Sequence, residues 1–166
     1  EQDGIEEVEA NVRRLNPDAG VVHADSIITV EDGKALEGKR VLAVEDGPTL
    51  THGGASYGAA TLAAEAHGAE LVDPRPAAVG SIRRIFEEYP HLGDVLPAMG
   101  YSDRQVDELE ETIRAADPDL VLVGTPFDLG RLIDVEVPTV RVRYEIAERG
   151  ETFGEIIDRH ADALGL

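Results

Sequence analysis

The sequence predicts an α/β fold, a Rossmann-like three-layer domain with a mostly parallel sheet. Residues 41–44 and 120–123 are short runs made only of apolar residues, as expected for strands buried on both faces. Segments with apolar residues at helical spacing lie between and after these runs. Strands that alternate with amphipathic helices imply βαβ crossovers, and therefore parallel strands covered by helices on both faces.

The first forty residues predict one helix and one short strand. Asp3 and Glu6 form a pair typical of a helix start. Apolar residues recur at helical spacing along this segment: Ile5, Val8, Val12 and Leu15. Asn16-Pro17 ends this helix. Residues 21–24 predict a short strand, and residues 25–39 a connection with a turn at Asp32-Gly33.

From residue 40 onward, predicted strands and helices alternate. The strands are residues 41–44, 70–72, 120–123 and a half-exposed 140–143. The helices cover residues 57–67, closed by Gly68, and 81–89; two more start at the capping pairs Ser102/Gln105 and Thr152/Glu155.

The charge balance is strongly acidic, with 34 Asp and Glu against 15 Lys and Arg and a net charge of −19. The acidic residues are spread along the chain and only two cations are lysines, which favours adaptation to high salt. Nucleic-acid binding is disfavoured because phosphate contacts need clustered cations. The chain has no cysteine, and no apolar run is long enough to cross a membrane, so we expect a cytoplasmic location.

The segment 45–58, EDGPTLTHGGASYG, is a long polar loop between a predicted strand and a predicted helix. Its Gly53 and Gly54 would let a phosphate approach the backbone, and the next helix would offer free N–H groups to the anion. The alternative is a structural connection whose glycines serve turn geometry. Glu45 and Asp46 are candidate Mg²⁺ ligands, and His52 is a candidate general base or phosphate ligand.

Further candidates follow two other predicted strands. Arg75 stands between two prolines, which favours presentation of its guanidinium to an anion; the alternative is a structural pair with Asp73. Thr125, Pro126 and Asp128 predict a helix start that could receive an anion beside Arg131.

Arg141 and Arg143 share one face of a strand. One interpretation is an edge strand whose charges prevent pairing with another chain. The alternative is a cationic face that contacts an anionic ligand or a partner domain.

Several strings resemble the C-terminal half of the cyclic 2,3-diphosphoglycerate synthetase family, which includes archaeal and bacterial predicted GTPases. They are VEDGPTLTHGGASYGAA, VDPRPAAVGSIRRIFEEYPHLGDVLPAMGYSDRQVDELEETI, DLVLVGTPFDLGRLI and PTVRVRYE. The front, IEEVEANVRRLNPDAGVVHADS, resembles the end of a P-loop GTPase domain of the metallochaperone type.

The resemblance implies that residues 1–38 close an upstream P-loop domain and that residues 39–166 form a C-terminal Rossmann-like domain. It implies ATP-dependent closure of a phosphoanhydride, with Mg²⁺ and ATP or GTP bound largely by an upstream region. The Walker A motif, its Mg²⁺-binding Asp and the guanine-selecting NKxD are missing from this chain.

Three hypotheses follow. In the first, the chain is an enzyme part that binds a phosphorylated small molecule through Thr49, Thr51, His52, Gly53, Gly54, Arg75, Thr125 and Arg131. In the second, it is a non-catalytic module for a nucleotide or phosphometabolite. In the third, it is an assembly domain whose arginine face docks on a partner. A homo-oligomer is left open.

Overall fold

The computed structural model describes residues 2–100, 102–126 and 129–164. The six strands are β1 (His23–Val30), β2 (Arg40–Asp46), β3 (Glu70–Leu71), β4 (Val95–Ala98), β5 (Leu120–Val123) and β6 (Thr139–Arg149). The α-helices within these residues are α1 (Gln2–Leu15), α2 (Gly47–Gly53), α3 (Ala59–Ala66), α4 (Gly80–Glu88), α5 (Asp103–Ala116) and α6 (Phe153–Leu164). Short 3-10 helices cover Gly33–Leu36, Arg75–Ala77 and Leu129–Arg131.

The strands form one six-stranded sheet in the order β1-β6-β5-β2-β3, and β4 also pairs with β2. The pairs β2–β3, β2–β4, β2–β5 and β5–β6 are all parallel. After β2 the chain builds β3 and β4 on one side of that strand, then returns to build β5 and β6 on the other. The carboxyl ends of β2 and β5 therefore flank a topological switch point, where open α/β sheets bind ligands.

The alternation of side chains along β2 and β5 builds two cores, one on each face of the sheet. Leu42 and Val44 lie in one core with residues of α4 and α5, such as Ile82 and Ile113. The other face packs against α3, with these buried residues: Leu36, Val41, Ala43, Ala60, Ala63, Ala64, Leu120, Leu122 and Val142. Helices on both faces of a mostly parallel sheet confirm the predicted three-layer α/β fold.

The chain divides into two compact units, residues 1–27 with 145–166, and residues 28–144. In the first unit, Asp25 pairs with Arg149 and Glu9 with His23. The Thr152 amide donates to Glu155 (2.8 Å), and the Glu155 amide donates to the Thr152 hydroxyl (3.1 Å), so the predicted capping box of α6 is confirmed. The predicted domain boundary at residue 38 stays a prediction.

The structure corrects four predicted elements. β1 runs to residue 30, through part of the predicted connection, and α2 occupies the middle of the predicted loop 45–58. β4 was not predicted, because Pro97 argues against a strand. The strand that carries Arg141 is not an edge strand, because β6 lies between β1 and β5.

Candidate functional site

The centre of the switch point is filled by the side chain of Glu45, the penultimate residue of β2. Its carboxylate is 3% exposed and accepts hydrogen bonds from the Thr61 amide (3.0 Å) and the Thr61 hydroxyl (3.3 Å). Burial raises the pKa of the Glu45 carboxyl, and hydrogen bonds from the amides of Thr61, Ala60 and Ala59 oppose that rise. Glu45 therefore caps the N-terminus of α3 from a neighbouring strand.

Two glycines make room for this buried carboxylate. A Cβ at Gly58 would lie 2.4 Å from Glu45 Oε2, and a Cβ at Gly124 would lie 2.3 Å from the same oxygen. Gly58 is also the N-cap residue of α3, where it offers no side chain for capping. The carboxylate thus takes the position that a Ser, Thr or Asp side chain fills at most helix starts.

Helix α2 occupies the middle half of the predicted phosphate loop. Asp46 caps it, since its Oδ2 accepts from the Thr49 amide (3.2 Å) and the Thr49 hydroxyl (2.8 Å). The Thr51 hydroxyl donates to the Gly47 carbonyl (3.0 Å) and lies 3.1 Å from His52 Nδ1 on the exposed surface. The structure therefore brings Thr49, Thr51 and His52 together on one short helix.

Gly53 and Gly54 lie at the C-terminal end of α2, the end that carries free carbonyl groups rather than free N–H groups. Gly54 has a φ of 66°, the left-handed conformation that closes a helix, which supports the turn-geometry alternative. The expectation of free N–H groups at the start of the following helix is wrong, because Glu45 accepts them. The phosphate-binding role of the two glycines stays a prediction.

The two predicted Mg²⁺ ligands, Glu45 and Asp46, each cap a helix. Throughout residues 2–100, 102–126 and 129–164, no group of three or more His, Cys, Asp or Glu side chains is placed to hold a metal ion. The Mg²⁺-binding role of Glu45 and Asp46 stays a prediction, and both carboxylates already accept hydrogen bonds from the protein.

Arg75 is held by carboxylates and carbonyls of the segments around it. Its Nη1 lies 2.8 Å from Asp73 Oδ1 and 3.1 Å from Asp94 Oδ1, and its Nη2 donates to the carbonyls of Leu92 and Gly93. The guanidinium also lies 5.7 Å from the centre of the Phe86 ring. These contacts support the structural alternative, in which Arg75 fixes the segment that leads into β4.

The segment after β5 places Thr125 in the interior, 1% exposed, directly after Gly124. The predicted helix start there depends partly on Phe127 and Asp128, which lie outside the described residues. Arg131 closes the 3-10 helix Leu129–Arg131, which is anchored by the buried Leu129. The anion-binding roles of Thr125 and Arg131 stay predictions.

An open cleft of about 290 Å³ lies over the β5–β6 pair, beside the switch point. Its lining combines charged and polar side chains with an apolar floor: Glu31, Asp32, Val123, Leu129, Gly130, Thr139, Val140 and Arg141. The volume is near the lower end of small-molecule pockets, which span about 300–1,000 Å³.

Local structure fixes the charged groups of this cleft. The Arg141 guanidinium donates from Nη2 to the Pro126 carbonyl (2.6 Å), and Glu31 pairs with Arg143 (2.7 Å). Asp32 precedes the 3-10 helix Gly33–Leu36 and makes no capping hydrogen bond to it. Arg141 was a candidate from the sequence, whereas Glu31 fell in the predicted connection 25–39 and Asp32 in its predicted turn. No local pattern relates these two acids to Arg141.

A second buried acid, Glu108 of α5, was also missed. It accepts from the Ser81 amide (2.8 Å), the Ser81 hydroxyl and Arg104 Nε (2.9 Å). The Ser81 bonds, with help from Arg104, lower the pKa of Glu108 to about 2. Glu108 thus caps α4 as Glu45 caps α3, and a Cβ at Gly80 would lie 2.2 Å from its carboxylate.

The chain is similar to one curated protein, the arginine synthetase ArcE of Thermococcus kodakarensis. The two are 52% identical over 151 residues, which cover 90% of this chain and 34% of that protein. The chain therefore spans about a third of the length of this relative. No family model and no solved structure matches the chain. Across the described residues, no helix is long and apolar enough to span a membrane.

Proposed function

We propose that this chain is part of a synthetase that couples the cleavage of ATP or GTP to the formation of arginine. The observation that carries the proposal is the 52% identity with an arginine synthetase across nine tenths of the chain. Similarity of this degree along one continuous stretch indicates a shared fold and favours a shared reaction.

In this proposal the chain contributes substrate binding, and the Mg²⁺–nucleotide is held elsewhere. Both carboxylates at the carboxyl end of β2 are engaged as helix caps, and the chain has no Walker A lysine. By contrast, the cleft beside the switch point offers acidic, basic and apolar groups in a space suited to a small molecule.

The second candidate is the closure of a phosphoanhydride in 2,3-bisphosphoglycerate, which the strings around residues 44–60 and 120–133 support. Both candidates are nucleotide-dependent syntheses, but the substrates differ in charge. Arginine carries a guanidinium cation, whereas 2,3-bisphosphoglycerate carries several negative charges. The Asp32 carboxylate in the cleft, which makes no capping hydrogen bond, favours the cation, whereas the charge of Glu31 is already balanced by Arg143.

Product analysis of the protein in its natural full length tests the proposal. One reaction contains Mg²⁺, ATP or GTP, ammonium and the ureido analogue of arginine, which has oxygen in place of one guanidinium nitrogen. A second contains 2,3-bisphosphoglycerate instead. We expect nucleotide-dependent arginine in the first reaction, measured by amino-acid analysis. A cyclic phosphoanhydride detected by phosphorus NMR in the second, without arginine in the first, would overturn the assignment in favour of the second candidate.

If neither product forms while the protein binds nucleotide, a non-catalytic binding module becomes the better description. Hydrolysis of GTP alone, without either product, would instead favour a GTPase.

A further inference from the structure

We infer that the cleft over the β5–β6 pair binds a basic amino acid, with the cationic side chain at Glu31 and Asp32 and the α-carboxylate at Arg141. The choice of arginine as the ligand rests on the proposed function. The orientation of the ligand, with its cation at the acidic residues and its carboxylate at Arg141, rests on the lining of the cleft itself.

Opposite charges line one small cleft. Two carboxylates and one guanidinium line it, in a chain whose net charge is −19. A purely anionic ligand such as a nucleotide would meet Arg141 but would be repelled by Glu31 and Asp32. A ligand with a cation at one end and a carboxylate at the other matches both signs.

Arg141 is held in a fixed orientation. Its hydrogen bond to the Pro126 carbonyl uses one of five guanidinium N–H donors and fixes the planar group beside the end of β5. A guanidinium held in this way is suited to bidentate binding of a carboxylate. The register of the sheet pairs Arg141 with Val123, so this guanidinium stands level with the carboxyl end of β5.

Asp32 and Glu31 form the acidic side of the cleft. Asp32 lies at the start of a 3-10 helix that the fully buried Leu36 anchors in the core. Since the Asp32 side chain makes no capping hydrogen bond, its carboxylate is not committed to that helix. Glu31 is already paired with Arg143 (2.7 Å), so the cation of the ligand would share this carboxylate with Arg143 and bind mainly at Asp32.

The apolar floor completes the match. Val123, Leu129 and Val140 are the apolar residues in the lining of the cleft. The three methylene groups of an arginine side chain would cover such a surface, as arginine stems do on protein surfaces.

Calorimetric titration of L-arginine and agmatine tests the inference, because agmatine is arginine without the carboxylate. The variants are Arg141→Gln and Asp32→Asn, and the matched surface controls are Arg84→Gln on α4 and Glu65→Gln on α3. We expect Arg141→Gln to weaken arginine binding at least tenfold while leaving agmatine binding unchanged. Asp32→Asn should weaken both ligands, and both controls should bind as the wild type does.

The outcomes separate the two proposals. Arginine binding that neither cleft variant changes would overturn the cleft assignment and leave the proposed function standing. Arginine binding that depends on the cleft, in a protein that forms no arginine, would keep the cleft and overturn the proposed reaction. Absence of arginine binding at millimolar concentration, or preferential binding of ATP or 2,3-bisphosphoglycerate through Arg141, would overturn the cleft assignment. Thermal melts of every variant show whether a loss reflects unfolding.

Discussion

Replacement of Gly124 by alanine tests whether the buried carboxylate of Glu45 stabilises the packing of β2, α3 and the end of β5. A Cβ at this position would lie 2.3 Å from Glu45 Oε2, 2.9 Å from the Ala60 amide nitrogen and 3.1 Å from the Ala60 Cβ. The backbone nitrogen cannot rotate away, so the carboxylate must leave its place or β5 must move away from α3. Gly124 has no positive φ, so the conflict is steric.

The expected cost combines two effects. Forcing an extra carbon into a packed core costs about 1–3 kcal/mol. A displaced Glu45 also leaves the α3 amides without their acceptor, at a cost of about 1–3 kcal/mol. Since the two effects overlap, we expect a loss of about 2–4 kcal/mol in the free energy of unfolding. At about 2–4 °C per kcal/mol for a chain of this size, Tm should fall by about 5–15 °C.

Thermal and urea unfolding of Gly124→Ala and Gly53→Ala give the comparison. Gly53 is the matched control, because it lies at the end of α2 and a Cβ there meets nothing within 4 Å. We expect Gly53→Ala to be neutral or slightly stabilising, as alanine is in helices. In the double variant Glu45→Ala/Gly124→Ala, the two losses should be less than additive, since the alanine then meets no carboxylate. Wild-type stability of Gly124→Ala would refute the reasoning.

Three further predictions concern pH, salt and nucleotide. The pKa of Glu108 is about 2 in the fold against 4.5 for the free side chain, so its stabilisation is complete above pH 4.5 and is lost as the pH falls towards 2. Glu108→Gln should therefore be less stable than wild type at pH 7, and its free energy of unfolding should fall less on acidification. Denaturant unfolding at several pH values measures both effects. The control variant Glu111→Gln should follow the wild type. Tm should rise from dilute buffer to molar KCl, because salt screens the repulsion within a chain of net charge −19; a flat or falling Tm would remove the high-salt interpretation. The 166-residue chain should show no ATP or GTP hydrolysis above background, and turnover that is lost in His52→Ala would contradict this.

The parts of the fold that the sequence predicts are those with strong local patterns. β5 matches its predicted bounds, and α3, α4 and α6 match within a few residues, because apolar periodicity and capping pairs are local signals. β4 was missed because Pro97 lowers the strand propensity of its segment. The segment forms a strand because it pairs with β2, which a local pattern does not show.

The candidate site was less predictable, because its important contacts join residues far apart in the sequence. Glu45 stands 16 residues before Thr61, and Glu108 stands 27 residues after Ser81. A glycine at a helix start without a Ser, Thr or Asp cap, as at Gly58, is the one local sign that another element supplies the cap. The residues Asp32 and Arg141 are far apart in the sequence, and only the order of the strands in the sheet places both in the lining of the cleft.

The stoichiometry of arginine formation tests the central claim most directly. The protein in its natural full length is incubated with Mg²⁺, ATP or GTP, ammonium and the ureido analogue of arginine, and arginine and cleaved nucleotide are measured in the same samples. We expect both to accumulate together, one arginine for each nucleoside triphosphate cleaved, and neither to accumulate when the ureido analogue is left out. Nucleotide cleavage that continues without arginine, or arginine that forms without nucleotide, would contradict it.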